Sequence, residues 1–267
     1  MRRFVQSVAA IAVLTATASA QPAPPPAHVE TSTVGWSVLA GYEVFALRDI
    51  SRGGRPPDAS PVSWRGSGPS VSGRYDIVRV RSSHLIEATA ARARDFSYVA
   101  PSRSMAALRS DLASHFAVTY EYRRYPWRNL LFDGLDLGVG AQALATRTGF
   151  DRHITQALAT KTRITGGGAA GVIAIGLHRY DRLEVDASWS NGAVVSHRST
   201  RHSINGEAES YSGGNWLSDT VVRVHWRVTP TTRLAAAWRR GYDGYSSSHY
   251  SYVGHRHAIE LGVSYAR

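Results

Sequence analysis

The chain has 267 residues, no cysteine, and a formal charge of +11 from 31 basic and 20 acidic side chains. Because no thiolate is available, the composition excludes a disulfide-stabilised scaffold and cysteine-based zinc or iron–sulfur sites, and we expect no metal and no other cofactor. No apolar stretch beyond the N-terminus approaches the roughly 20 residues that a spanning helix needs, which excludes a helical membrane protein.

The N-terminus has the three parts of a secretory signal peptide. Arg2 and Arg3 form a basic region, residues 8–14 are apolar, and Ala18-Ser19-Ala20 fits the small-x-small cleavage pattern. We therefore predict a signal peptide over 1–20, a proline-rich spacer over 21–32 and one folded unit over 33–267. An exported chain does not meet nucleic acid, so the positive charge does not indicate a nucleic-acid interface.

From Thr33 onward, apolar residues alternate with small or polar ones, which predicts β-strands that have one apolar and one polar face. In chain order the alternating apolar sets run from Val34 to Val44, Phe116 to Tyr122, Leu135 to Ala145, Leu183 to Trp189, Trp216 to Val228 and Ile259 to Tyr265. Between Arg74 and Arg94 the alternation does not decide which face of the strand is apolar. Ile86, Ala88 and Ala90 share one face, and Leu85, Thr89 and Ala91 share the other.

The connections alternate strictly between short and long. The short ones are Arg81–His84, Tyr125–Asn129, His178–Arg182 and Val228–Thr232. The long polar ones are Arg48–Ser70, Arg94–Leu112, Thr146–Gly168, His197–Gly214 and Asp243–Gly254. This alternation predicts about ten strands, with eight or twelve as alternatives, and it assigns the prolines after the spacer, Pro69 and Pro126 among them, to connections.

Trp216 and Trp226 distinguish a transmembrane barrel from a soluble one. They share one strand face and lie about 33 Å apart along the strand at about 3.3 Å per residue. Tilted by about 40°, this distance projects to roughly 25 Å, the height of the lipid-facing band of a membrane barrel. The spacing favours a transmembrane barrel, and a soluble periplasmic barrel that binds an apolar ligand remains the alternative.

Together with the terminal strand Ala258–Tyr265, these features resemble the bacterial outer-membrane β-barrel proteins. The resemblance is one of architecture and spans the whole chain. It implies an all-β, closed, up-and-down antiparallel transmembrane barrel located in the outer membrane. It also implies that the outer-membrane assembly machinery recognises the terminal strand, although the terminal aromatic, Tyr265, lies two residues before the end.

Charged residues fall on the polar face of the predicted strands. Buried ions of opposite sign must pair, because an unpaired one costs several kcal/mol (about 3–5 when its partner is removed). We therefore predict a narrow, charge-filled lumen and a structural or surface-interaction role; a pore along Arg223, Arg227 and Arg239 is the alternative. If the lumen is hydrated, Arg223 should tolerate Lys or Gln. The predicted network consists of Glu121, Arg123, Asp136, Glu184, Asp186, Asp219, Arg223, Arg227 and Glu260, and Glu43, His225 and Arg239 share its face.

Arginines are also frequent in the first two long connections. Guanidinium groups bind phosphate bidentately, so we expect these connections to contact lipopolysaccharide and outer-membrane lipid. The arginines concerned are Arg48, Arg52, Arg55, Arg65, Arg94, Arg103 and Arg109.

His197 and Ser199 form a candidate catalytic pair, because residues two apart on a strand share a face. Their spacing is similar to the His-x-Ser of outer-membrane lipid hydrolases, the phospholipase and lipid A deacylase barrels. The resemblance implies a lipid hydrolase with His197 as base, Ser199 as nucleophile, and an orienting group from a neighbouring strand. Candidates for that group are Asn205, Glu207 and Glu209.

Overall fold

The computed structural model describes residues 33–50, 62–99, 109–130, 134–153, 159–180, 182–202, 206, 208–246 and 251–267. The predicted signal peptide and spacer, residues 1–32, lie outside the described residues. No described segment forms a helix long and apolar enough to cross a bilayer.

Ten strands form one closed barrel in which every strand pairs antiparallel with its neighbours along the chain, and the first strand pairs with the last. This confirms the predicted all-β, up-and-down barrel and its strand number. The strands are β1 (Thr33–Ile50), β2 (Val62–Val78), β3 (Ser82–Val99), β4 (Arg109–Trp127), β5 (Leu135–His153), β6 (Ala159–Tyr180), β7 (Leu183–His202), β8 (Ala208–Arg227), β9 (Thr232–Ser246) and β10 (Ser251–Ala266).

The alternating residues face as the period of two requires. On β8, Val224 lies on the outer surface, 36% exposed, while its neighbour Arg223 points inward with a side chain 2% exposed. A slip of one residue in the pairing would exchange these two faces along the whole strand. The burial of one face therefore fixes the register.

The ambiguous segment between Arg74 and Arg94 is resolved by its neighbours. Ile86 pairs with Tyr75 of β2 and Tyr120 of β4, both exposed on the outer wall, and is itself 50% exposed. Leu85 is 2% exposed and faces the interior. The same parity places Glu87 inside the barrel, a position that the sequence analysis did not include in its network.

The two ends of the barrel differ. We call the end with the short connections and the chain termini the turn end, and the opposite end the loop end. At the loop end the strands run further than predicted: β7 continues to His202 and β8 begins at Ala208, so most of the predicted link His197–Gly214 is strand. Backbone pairing needs no apolar side chains, so the ladder continues where the side-chain alternation has become polar on both faces.

Two prolines assigned to connections lie inside strands. Pro69 is within β2 and pairs with Tyr42 of β1. On its other side, the pairing with β3 passes from Ser67 to Ser70 without a partner for Pro69. A proline cannot donate a ladder hydrogen bond, and this gap in the pairing with β3 accommodates its missing N–H. Pro126 lies near the end of β4, where the pairing with β5 is also irregular.

The interior is filled differently along the barrel axis. Apolar side chains meet towards the loop end, where Leu144, Val194 and Leu217 form one buried cluster and the rings of Phe45 and Phe150 lie 6.0 Å apart. Charged side chains fill the middle and the turn end, and Arg198 and Arg256 are also buried nearer the loop end. In both regions the side chains that fill the interior belong to the strands.

Candidate functional site

A carboxylate bound by two arginines lies at the centre of the lumen. Arg223 Nη2 donates to both carboxylate oxygens of Glu87 at 2.7 Å, and Arg239 Nη2 donates to Glu87 Oε1 at 2.6 Å. All three side chains are at most 10% exposed. We call Glu87, Arg223 and Arg239 the central cluster. It joins β3 to β8 and β9 across the barrel.

Asp186 of β7 extends the central cluster towards the turn end. Arg123 Nη1 donates to Asp186 Oδ2 at 2.7 Å, and Arg123 also binds Glu121 on its own strand. Arg74 and Arg223 each approach Asp186 Oδ1 to 3.7 Å. Arg123 is buried, so its charge is compensated by two carboxylates rather than by solvent.

These contacts tie together residues that are distant in sequence. Glu87 and Arg223 are 136 residues apart, and Glu87 and Arg239 are 152 apart. A buried ion pair contributes little net stability once the cost of desolvation is counted, but removing one member leaves an uncompensated charge. The central cluster therefore specifies how opposite walls are matched more than it strengthens the barrel.

A second group of charges lies at the turn end. Asp136 accepts from Arg128 Nε at 3.3 Å, and Glu184 pairs with Arg227 at 3.3 Å and with Arg233. A cavity of about 290 Å³ lies among these groups, lined in part by Arg74, Asp76, Asp136, Glu184 and His225. The turn end is thus a polar vestibule.

The remaining two predicted network residues lie at the edge of the central cluster. Arg239 Nη1 approaches Asp219 Oδ2 to 3.8 Å. Glu260 of β10 is 2% exposed and accepts a hydrogen bond from Ser72 Oγ at 2.7 Å. The nine predicted residues thus lie partly at the lumen centre and partly around the vestibule.

Two residues that matter most to this arrangement, Glu87 and Arg74, were missing from the prediction. Glu87 shares a strand face with Leu85 and Thr89. Because both faces of that segment carry small residues, the alternation alone did not show that this face points into the lumen. Arg74 lies on β2, where Ser70 and Ser72 on one face alternate with Val71, Gly73 and Tyr75 on the other. Pairing the ambiguous segment with Tyr120 on the next strand would have assigned Glu87 to the interior.

The candidate catalytic residues lie on the outer wall near the loop end. His197 is exposed, and its Nδ1 is hydrogen-bonded to Ser212 Oγ of β8 at 3.1 Å. Ser199 lies on the same face, in register with Arg163 and Ser210. The histidine thus has a serine partner on the adjacent strand rather than the one two residues along its own strand.

Of the three proposed orienting residues, only Glu209 lies in the described part of the barrel, and there it contacts Tyr211 rather than His197. Asn205 and Glu207 lie outside the described residues, and Glu209 shares its face with Tyr211, whose hydroxyl donates to Glu209 Oε2 at 3.4 Å. Within the described ranges, no cluster of three or more histidine, aspartate or glutamate side chains could hold a metal ion.

The outer wall carries a band of apolar and aromatic side chains. Trp36 stacks on Tyr265 across β1 and β10 with ring centroids 6.0 Å apart, and Ile259 and Leu261 are each 65% exposed. Further exposed members are Val38, Val44, Val118, Tyr120, Ile173, Ile175, Trp189, Trp216, Trp226, Leu234, Trp238 and Val263. Such a surface is too large and continuous for a protein surrounded by water.

Comparison with known proteins gives the fold and no family. No protein-family profile matches the sequence, and no curated protein has a detectably similar sequence. The structure is similar to the outer membrane protease OmpT from Escherichia coli, at 14% identity and a TM-score of 0.63 over 91% of this chain and 99% of that one.

Two further similarities are weaker. The outer membrane protein OprG from Pseudomonas aeruginosa is 7% identical, with a TM-score of 0.44 over 87% of this chain and 95% of that one. The translocator domain of the autotransporter NalP from Neisseria meningitidis is 10% identical, with a TM-score of 0.41 over 98% and 95%. The closed ten-strand barrel and the similarity to OmpT give this chain the β-barrel architecture of bacterial outer-membrane proteins, as the sequence resemblance implied.

Proposed function

We propose that the protein is an integral outer-membrane β-barrel with a structural or surface-interaction role and a lumen that does not conduct ions. The observation that carries this proposal is the central cluster, in which Glu87 is bound by Arg223 and Arg239 across the barrel. Barrels of about eight strands have interiors that side chains fill, whereas open pores need about 16 or more. Ten strands lie near the first class.

The distribution of polarity supports membrane insertion. A soluble barrel that binds an apolar ligand buries its apolar side chains and exposes its polar ones. Here the order is reversed, with Arg123 and Glu121 buried and Ile259 and Leu261 exposed. A lipid environment suits this arrangement, because it surrounds the apolar outer face and a closed barrel presents no open sheet edge to it.

The architecture also supports an orientation and two partners. In outer-membrane barrels short turns lie in the periplasm, which would place the loop end outside the cell. Arg65, exposed near the loop end, and the arginines of the first two loops would then contact lipopolysaccharide. Most of those loop arginines have side chains outside the described set. β10, with Ile259, Leu261 and Val263 on its lipid-facing side, would be the segment that the assembly machinery recognises.

Cell fractionation and bilayer recording test this proposal. The mature protein should fractionate with the outer membrane and show heat-modifiable migration on gels, because a folded barrel resists detergent until it is heated. Refolded protein in a planar bilayer should give no conductance above that of the protein-free membrane. Recovery from the periplasm without detergent would overturn the membrane assignment, and stable open channels would overturn the closed lumen.

A second candidate function is lipid hydrolysis on the outer wall. The observation that favours it is the 3.1 Å contact between His197 Nδ1 and Ser212 Oγ, which brings a base to a hydroxyl on a lipid-facing surface. The contact changes the candidate nucleophile from Ser199 to Ser212. One observation speaks against hydrolysis. Among the described residues, no carboxylate or amide contacts His197 Nε2 to orient the ring and fix its tautomer.

Fatty-acid release from phosphatidylglycerol in mixed micelles decides between these functions. If the wall is catalytic, Ser212→Ala and His197→Ala should each reduce release to background, and Ser199→Ala should leave it unchanged. If Ser199→Ala abolishes fatty-acid release and Ser212→Ala does not, the nucleophile is Ser199, as the sequence pattern predicts. Absence of release from the wild-type protein would eliminate the hydrolase and leave the structural role.

A further inference from the structure

Four cationic side chains lie close together on the outer wall at the loop end. They are Arg147 on β5, Lys161 and Arg163 on β6, and Arg201 on β7, and all four are exposed. We call these four residues the basic patch. It lies on β5, β6 and β7, away from the first two long connections and their arginines.

The strand register places these residues in neighbouring rows. Arg163 pairs with Gly149 and Ser199, and Lys161 pairs with Asp151 and Arg201. Because strands lie about 4.8 Å apart, the patch spans about 10 Å from β5 to β7. Arg147 lies one row nearer the turn end, in register with Thr165.

The basic patch keeps a net positive charge in the part of the protein that the structure describes. One carboxylate, Asp151, lies in its rows beside Lys161, against four cations. None of the four cations forms an ion pair with a carboxylate among the described residues. Like charges so close together repel one another, and an external anion relieves that repulsion.

The basic patch lies directly above the apolar band. The next row towards the turn end is Val118, Ala145, Gly167 and Val195, without a charge, and Val195 is 71% exposed. A hollow of about 360 Å³ opens beside the patch where Gly149 has no side chain, lined by Phe116, Arg147 and Arg163 and, on one side, by Asp151. The outer wall therefore carries cations and a recess near the loop end, and the adjacent surface towards the turn end is apolar.

We propose that the basic patch binds the phosphate headgroup of a membrane lipid whose acyl chains lie along the apolar wall beneath it. Guanidinium groups match phosphate oxygens in pairs, and the apolar row continues the contact along the chains. A soluble phosphate would use the cations but not the row below. This inference rests on the proposed insertion of the barrel in the outer membrane, and it adds a bound lipid at a defined place on the wall.

Binding of diphosphorylated lipid A to the full chain in detergent micelles tests the proposal. The variant R147Q/R163Q removes two charges from the basic patch, and R124Q/R240Q removes two exposed charges elsewhere on the outer wall. Because each cation near a lipid surface contributes about 1 kcal/mol, R147Q/R163Q should weaken binding roughly tenfold to thirtyfold. R124Q/R240Q should bind as the wild type does.

Two further ligands identify what is recognised. Lipid A from which the phosphates have been removed should bind to the wild type at least as weakly as diphosphorylated lipid A binds to R147Q/R163Q, because Lys161 and Arg201 remain in that variant. Inorganic phosphate at millimolar concentration should not displace the lipid. Equal binding by R147Q/R163Q and R124Q/R240Q, equal binding of dephosphorylated lipid, or displacement by inorganic phosphate would overturn the proposal.

The outcome is separable from that of the proposed function. Heat-modifiable migration shows in the same samples whether each variant has folded as a barrel. A barrel that folds, fractionates with the outer membrane and binds lipid A without regard to Arg147 and Arg163 contradicts this inference alone. A chain recovered as a soluble periplasmic protein contradicts the proposed function itself.

Discussion

The inner and outer faces of the barrel place different demands on the same strands. On β8, Arg223 is buried and bound to Glu87 on the opposite wall, while its neighbour Val224 lies on the outer surface and is 36% exposed. The inner face requires particular partners at particular distances. The outer face requires only that a side chain be apolar at the right height.

Glycines show the same contrast in the backbone. A side-chain carbon added at Gly41, Gly140 or Gly262 on the inner face would lie 1.9, 2.1 or 2.1 Å from a backbone oxygen of the neighbouring strand. On the outer face, a carbon added at Gly73 or Gly214 would meet nothing within 4 Å. At these inner-face positions the neighbouring strand leaves no room for a side-chain carbon, whereas at the two outer-face positions there is room.

The largest expected effect comes from removing the central carboxylate. Glu87→Ala leaves Arg223 and Arg239 buried without their anion, which should lower the free energy of unfolding by about 3–5 kcal/mol. Urea titration in phosphatidylcholine vesicles measures it. Glu184→Ala, at the partly exposed vestibule, should cost about 1 kcal/mol or less. Equal losses for the two variants would show that the lumen centre is as hydrated as its mouth.

Placing a charge on the outer face should have the next largest effect. Val224→Arg puts a cation against lipid and should cost about 2–4 kcal/mol, whereas Val228→Arg, in the turn after β8, should cost about 1 kcal/mol or less. The same titration compares them. Arg223→Gln tests the inner face at the neighbouring position. A hydrated lumen would tolerate this substitution, but because Arg223 is buried we expect it to lower the free energy of unfolding as much as Val224→Arg does.

Adding one methyl group to a glycine tests the steric difference between the faces. Gly41→Ala forces strands β1 and β10 apart and should cost about 1–3 kcal/mol, as overpacking does. Gly73→Ala on the outer face should be neutral, or stabilising by about 0.5 kcal/mol through the unfolded chain. A Gly73→Ala variant as unstable as Gly41→Ala would contradict the difference in packing.

The smallest expected effects concern two serine hydroxyls, one on each face. Ser72 donates to the buried carboxylate of Glu260, so Ser72→Ala should cost about 1.5 kcal/mol. Ser218 accepts from Trp189 Nε1 at 3.0 Å on the outer wall, and Ser218→Ala should cost about 0.6 kcal/mol, as is typical of such bonds facing lipid. Unfolding midpoints measured in one lipid decide whether the order holds.

The sequence by itself determined the strands, their number and most of their faces. Alternation is a local property: a period of two at Leu135, Leu137 and Val139 is visible without knowing any partner, and the alternating short and long connections establish the up-and-down order. The same local pattern predicted that His197 and Ser199 share the outer face, and the structure agrees.

Only the tertiary structure decided which inward charges meet. Parity assigns Glu121, Asp186 and Arg223 to the lumen, but their heights depend on how each strand is shifted against its neighbours around the closed barrel. Glu87 was missed because small residues on both faces of its segment left the local signal ambiguous, and contacts with β2 and β4 decided it. Likewise, His197 is hydrogen-bonded to Ser212 because the register between β7 and β8 places the two residues opposite each other. The pattern of a single strand does not determine that register.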